Sequence, residues 1–352
     1  MEKGMKRREF LKATATAGTV LLAGNFLQGV SRAQGAVKIP EADKITITVI
    51  TDNYFDSNRW NYKIAKRYVP ALGSPLLNVF LHAEHGLAYH IETMVNGESH
   101  SFMFDYGTDF QGVKRNMELL NIDFKKLEAI GLSHDHVDHQ GALVQLLKSK
   151  SEEFRKGIRF YVGEQTFVGT FMRLRMGSII SLGALKREEI ESLGFLKIVE
   201  IKDPAPIVSG AYLTGKVEQV TDYEKIPAMF VAKKGNEFLQ ETFPGEQAVI
   251  LNAKGKGLVV LAGCAHRGIV NTVKHAQKIT GVEKVHAVIG GFHLIGANPD
   301  LIQKTIAGIK SVSPDYIVPT HCTGFEAITA FAREMPDQFI INTAGTKYII
   351  NG

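Results

Sequence analysis

Between Ser133 and Leu143 the chain reads SHDHVDHQGAL, with His134, Asp135, His136, Asp138 and His139 inside six residues. Imidazoles and carboxylates at this density are ligands suited to zinc or to non-haem iron. A polar helix cap with one incidental histidine is the bland reading of such a loop, and three histidines argue against it. An irregular loop can turn His134 and His136 one way, and Asp138 and His139 another. Later stretches carry the same chemistry: GCAH at 263–266, GGFHL at 290–294 and THCTG at 320–324. They hold both cysteines of the chain, Cys264 and Cys322, each within two residues of a histidine. That placement favours two reduced thiols near a metal over a disulfide, which an exported protein could also form.

These residues fall where elements end. The apolar run 127–132 reads as a buried strand, and Leu143, Leu146 and Leu147 at helical spacing read as the next helix, so the His/Asp cluster occupies a strand-to-helix loop. Alternation predicts a strand over 44–50, and further strands over 76–84, 86–95 and 100–107, the first two of these joined by a tight turn. A helix from about Asp109 to Leu120 follows. The second half repeats the scheme, with strands over 246–253, 257–263, 284–291, 315–320 and 338–343. Helices are predicted over 267–280, 299–311 and 324–334. Asp105, the 134–139 cluster, Cys264 to His266, His293 and His321 all stand at strand ends. Two sheets packed face to face with helices outside would gather these clusters on one rim. His90, His100, His275 and His286 fall within elements and are assigned no chemistry.

The chain has 352 residues, 45% hydrophobic and 22% charged, as expected of a globular enzyme. Its net charge of +5 is uneven, because residues 1–33 hold six Lys/Arg against two Glu. The near-neutral remainder lacks the basic face that nucleic-acid binding requires. The leader has a basic start around Arg7-Arg8, a weakly apolar stretch over 13–27 and a small-x-small site ending at Ala33. It looks like a twin-arginine export signal. The expectation is recognition by the twin-arginine translocation machinery, cleavage after residue 33, a periplasmic or secreted enzyme domain over 34–352, and no stable membrane span after cleavage.

The order FDYG, SHDHVDH, GCAH, THCTG resembles the metallo-β-lactamase superfamily, over nearly the whole mature chain. Within it, GCAHRGIVNT, GGFHL and PTHCTG are similar to the branch of dihydropterin-linked ribofuranosylaminobenzene phosphate synthases. The resemblance implies an α/β fold, an αββα four-layer sandwich, and two divalent metal ions, zinc above iron or manganese. It implies that His134 and His136 hold the first ion with His266 as third ligand. Asp138, His139 and His321 would hold the second. Asp105 would support the loop from behind. One departure stands out: where the superfamily often has a bridging aspartate, this chain has Cys264, which is either a soft ligand or a small buried residue. His293 is a candidate acid, and His85 a candidate for orienting substrate.

The activity implied is hydrolysis of an ester, phosphoester or amide-like bond, since a dication lowers the pKa of bound water from 15.7 towards about 7. A pterin-linked transferase is the alternative, with a di-iron redox protein or a non-catalytic metal binder behind it. Two segments have the character of lids. The stretch 53–75 is long for a strand connection and carries Trp60 with Lys63, Lys66 and Arg67. The insertion 163–245 contains Arg173 in an amphipathic stretch of roughly helical spacing over 167–195, which surface cover would also explain. As lids they would offer aromatic surface and positive charge to an anionic, partly planar small-molecule substrate.

Overall fold

In a computed structural model, residues 36–70 and 79–352 are described, and residues 37–352 form one compact unit. The export-signal reading falls on residues outside those described. No described helix is long and apolar enough to cross a membrane.

Among the described residues eighteen strands build three sheets. In chain order they are β1 (Lys44–Thr51), β2 (Ala65–Lys66), β3 (Ala88–Val95), β4 (Glu98–Tyr106), β5 (Ala129–Gly131), β6 (Ile158–Gly163), β7 (Thr170–Arg173), β8 (Ile179–Ser181) and β9 (Leu196–Ile201). Then come β10 (Ala205–Val208), β11 (Ala211–Leu213), β12 (Phe230–Lys234), β13 (Glu237–Gln240), β14 (Val249–Ala253), β15 (Gly257–Leu261), β16 (Val285–Gly291), β17 (Tyr316–Thr320) and β18 (Lys347–Asn351). The first main sheet runs β2-β18-β1-β3-β4-β5-β6-β9 and the second β10-β11-β14-β15-β16-β17. A small third sheet, β13-β12-β7-β8, lies wholly within the insertion.

The main sheets face each other across one core, with Ile45, Tyr89 and Phe102 from the first and Leu251, Leu261 and Ile289 from the second. The outer face of the first sheet is covered by the helices α1 (Phe110–Leu119), α3 (Leu143–Ser149) and α4 (Arg187–Ser192), through Val113, Met117, Leu143, Leu146 and Ile190. A single turn, α2 (Val137–Gln140), precedes α3. The outer face of the second is covered by α5 (Ile269–Thr280), α6 (Pro299–Ser311) and α7 (Phe325–Glu334), through Val273, Ile306 and Phe331. This is the αββα layering. The parallel strands β15, β16 and β17 are almost continuously buried because both their faces are covered.

Three sequence expectations are corrected. Residues 79–84 form no strand. The backbone of His82 finds its partners in the side chain of buried Asn116, which accepts from His82 N–H at 2.8 Å and donates to the carbonyls of Ile50 and His82, while Glu84 N–H donates to Asp52 O at 3.1 Å. Residues 338–343 make one bridge, Ile317 to Phe339, rather than a strand. Asn342 instead joins a polar network, donating to Asp52 Oδ2 at 2.6 Å and accepting from the Tyr348 hydroxyl at 2.8 Å. The terminal strand is β18, antiparallel to β1. Finally, the amphipathic stretch 167–195 folds as the hairpin β7–β8 and the short α4, because β7 finds an edge partner in β12.

Candidate metal centre

Four strand ends of the two main sheets turn sharply at one rim. Asp105 at the end of β4, Ala265 after β15, His293 after β16 and His321 after β17 have φ of 62°, 55°, 45° and 52°. Left-handed backbone at a non-glycine residue costs roughly 1–3 kcal/mol and clusters at functional sites. Here each turn aims side chains at the same place.

Behind the metal loop, buried Asp105 accepts three hydrogen bonds of 2.7 Å, from Ser133 N–H, from Ser133 Oγ and from His139 Nδ1. The Ser133 hydroxyl spends its proton on Asp105, so it accepts from His134 Nδ1 at 2.9 Å. Glu246 does the same for His266, accepting from Nδ1 at 2.8 Å and from the backbone N–H at 2.7 Å. Three histidines are thereby held with Nδ1 protonated and Nε2 left for the centre, the usual job of groups behind metal ligands. Gly263 permits this packing: a Cβ there would lie 2.2 Å from Ser133 Oγ.

In front of these supports two sets of donors converge. His134, His266 and Cys264 offer donor atoms within 4.8 Å of one another, and so do Asp138, His139, His321 and Cys264. The His136 ring lies 4.5 Å from that of His134 and 4.7 Å from that of His266. His321 Nε2 is 3.1 Å from Asp138 Oδ2, and His139 Nε2 is 3.1 Å from Cys264 Sγ. Cys264 therefore faces the centre and is shared by both sets. Cys264 and Cys322 are free, buried thiols.

The electrostatics divide the sets. Burial holds His134 and His266 well below the ordinary histidine range and His136 at about 3, so all three are neutral donors. In the second set burial also pushes His139 down, but the Asp105 and Asp138 carboxylates outweigh it and hold His139 at about 9. Burial raises Asp138, and the neighbouring His139 and His321 more than reverse that, keeping it ionised. Burial, and then the neighbouring Cys322 and the Asp138 and Glu246 carboxylates, drive the Cys264 thiol well above its ordinary value. His134 Nε2, His136 Nε2 and His321 Nδ1 are buried with no hydrogen-bond partner. Orphaned ring nitrogens beside a carboxylate and a thiol fit divalent metal ions.

The centre opens into a cavity of about 370 Å³. His85 and His293 line it. His85 stacks on His321 at 4.7 Å, with Nε2 3.6 Å from Asp138 and Nδ1 on Asn53. The insertion roofs the cavity: Leu182 and Phe230 line it, Val137 N–H donates to Leu182 O at 2.7 Å, and Thr170 donates to Asp135 at 3.1 Å. Gly183 allows that approach, since a Cβ there would sit 2.9 Å from Gln140 Nε2. Trp60 and Arg173 do not line the cavity. Trp60 is 90% exposed, and Arg173 is exposed on β7. Lys63 bonds Asp337 O, and Arg67 is buried against Thr346 and Ile341 O. Among the described residues of the 53–75 segment, Asn53 is the one brought to the site, donating to His321 O at 3.1 Å; residues 71–75 lie outside those described. His100, His275 and His286 pair with Glu128, Thr214 O and Asp315 away from it.

Sequence reasoning missed Glu246, Phe230, Phe243 and Asn53. Phe243 stacks on His266 at 4.1 Å, with the planes 7° apart. None of the four stands in a motif of metal-ligand type, and only the strand end at 246 gave any signal.

No family model matches the chain. Over 260 residues it is 34% identical to the 7,8-dihydropterin-6-methyl-4-(β-D-ribofuranosyl)-aminobenzene-5'-phosphate synthase of Methanocaldococcus jannaschii, spanning 73% of this chain and 87% of that protein. An uncharacterized protein of the same organism is 27% identical over 251 residues, spanning 71% of this chain and 88% of its own. Among solved structures, a metal-dependent hydrolase of the β-lactamase superfamily superposes with a TM-score of 0.65 at 23% identity, over 88% of this chain and 100% of that one.

Proposed function

We propose that this chain, which belongs to the family of that archaeal synthase within the metallo-β-lactamase superfamily, is a metal-dependent hydrolase of an ester, phosphoester or amide-like bond, a reading that rests on its donor cluster. The observation that carries the reading is the convergence of two donor sets, with buried, unpartnered ring nitrogens, at the floor of an open cavity.

His134, His136 and His266 would hold one divalent ion, and Asp138, His139 and His321 the other. Cys264, whose Sγ lies within reach of both donor sets, would be available to either ion. Thiolate with imidazole favours zinc over iron or manganese. A bound pair of dications would supply Lewis acidity to a carbonyl or phosphoryl oxygen. Asp138, ionised and at the cavity, orients the attacking group. His293, which burial favours in its neutral form and which lines the same cavity, would take the proton of the attacking group and pass it to the leaving group. His85 positions the substrate beside Asp138.

One observation favours a second reading, transfer rather than hydrolysis: the 34% identity to a synthase. In that case an organic partner rather than water would attack at the centre. The twin-arginine pattern at Arg7-Arg8 supports export, where soluble small-molecule esters outside the cytoplasm would be the substrates. The deciding experiment incubates zinc-loaded protein with a panel of phosphoesters, lactones and lactams, and separately with the pterin-methyl and ribofuranosylaminobenzene phosphate halves of the relative's product. Turnover of a panel member that chelator abolishes supports hydrolysis. Coupling of the two halves with no panel turnover replaces it with the synthase reading.

A further inference from the structure

Around the polar floor, the upper wall of the cavity is aliphatic and aromatic. Phe230 packs 5.7 Å from the His136 ring and 5.4 Å from the His293 ring. Leu182 stands on the roof, and Val137 and Ile295 form the mouth at 44% and 59% exposure. Two of these positions are fixed by backbone hydrogen bonds, Val137 N–H to Leu182 O at 2.7 Å and Ile295 N–H to Cys322 O at 3.2 Å. Aliphatic side chains held open to water at the mouth of a polar centre mark a surface that gains by being covered. Among the described residues that line the cavity there is no lysine or arginine, and Asp138 is the one carboxylate. The cations of the 53–75 segment and Arg173 lie elsewhere.

Granting the metal centre proposed above, we infer that Val137, Leu182, Phe230 and Ile295 form a specificity wall for an uncharged aromatic or branched alkyl group next to the bond that reacts. The volume of about 370 Å³ falls at the small end of ligand sites, roughly 300–1,000 Å³, enough for one ring system beyond the metals. A carboxylate or phosphate carried on that group would be desolvated with no cation to meet it, which is costly. An anionic group on the substrate can be satisfied only at the metals themselves. Selectivity is thus expected to read the distal group by shape and lack of charge.

The test measures binding, by calorimetry, of acetohydroxamate, benzohydroxamate and 4-carboxybenzohydroxamate to the zinc-loaded chain, with metal content determined in parallel. Benzohydroxamate is expected to bind at least about tenfold more tightly than acetohydroxamate, the gain from burying one phenyl ring. The 4-carboxy compound is expected to lose most of that gain. Ile295→Lys, a change at an exposed position that leaves the core intact, is expected to reverse the order of the two aromatic probes. Equal affinity for acetohydroxamate and benzohydroxamate, or preference of the unaltered chain for the carboxylate, overturns the wall. Benzohydroxamate binding without metal or acetohydroxamate binding overturns the metal centre and leaves the wall standing. A chain that binds neither overturns both.

Discussion

Asp105→Asn changes one atom behind the metal loop. The carboxylate Oδ2 accepts from both His139 Nδ1 and Ser133 Oγ, each at 2.7 Å, while Oδ1 accepts from Ser133 N–H. Asparagine can keep its carbonyl oxygen on Ser133 N–H, which leaves an NH2 facing two donors. The clash is relieved if His139 moves its proton to Nε2. That nitrogen lies 3.1 Å from Cys264 Sγ at the centre, and once protonated it has no lone pair for a metal. The backbone is no confound, because φ of 62° at residue 105 is tolerated by asparagine as by aspartate. Hydrogen bonds to a charged partner contribute about 1.5–3 kcal/mol each. Loss of a group behind a metal ligand typically costs about 10–100-fold in metal affinity. We expect a loss in that range at the second site and a smaller one at His134, His136 and His266, read by zinc competition against a chromophoric chelator. Circular dichroism and the thermal midpoint would establish that the variant is folded. Folded Asp105→Asn protein whose two zinc affinities stay within twofold of the parent would refute this reasoning.

With His139 held at about 9 in the metal-free protein, an ion entering the second site must displace a proton. Affinity there should weaken as pH falls below 9, by up to about tenfold per unit for one proton, and calorimetry in buffers of different ionisation heat should count that proton; pH-independent affinity would contradict it. Cys264→Asp should preserve or raise occupancy of the second metal, measured by elemental analysis; a variant that unfolds while its metal content stays normal makes Cys264 a core residue only. Arg7→Lys with Arg8→Lys should leave the full-length precursor in the cytoplasm, whereas the parent chain should appear outside it beginning at Gln34; processing unaffected by the double change would remove the twin-arginine reading.

The layers were legible because their strands and helices are regular. The α6 helix spans Pro299–Ser311, as the predicted 299–311 has it, and α5 ends at Thr280, where the predicted helix ends. The site was legible where ligands stand beside one another in sequence, as at 134–139, or directly at strand ends, as at Cys264 and His321. Three kinds of feature were hidden. Glu246 supports His266 from 20 residues away, out of the loop before β14, with no motif of its own. The 79–84 stretch looks like a strand, but its His82 backbone takes its partners from Asn116, a side chain on another element. The insertion has helical spacing over 167–195, yet its first half forms the β7–β8 hairpin and only α4 is helical, since β12 supplies an edge that local propensity does not know about. For the same reason Trp60 and Arg173 were candidates by residue type, whereas Phe230 and Leu182 reach the cavity by tertiary pairing.

The measurement that bears most directly on the central claim is anomalous diffraction at the zinc edge from crystals of the zinc-reconstituted protein. Two peaks are expected, one ligated by His134, His136 and His266, the other by Asp138, His139 and His321, with Cys264 Sγ between them. Absence of any peak within the cluster, in protein shown by elemental analysis to have been exposed to excess zinc, would contradict the metal centre.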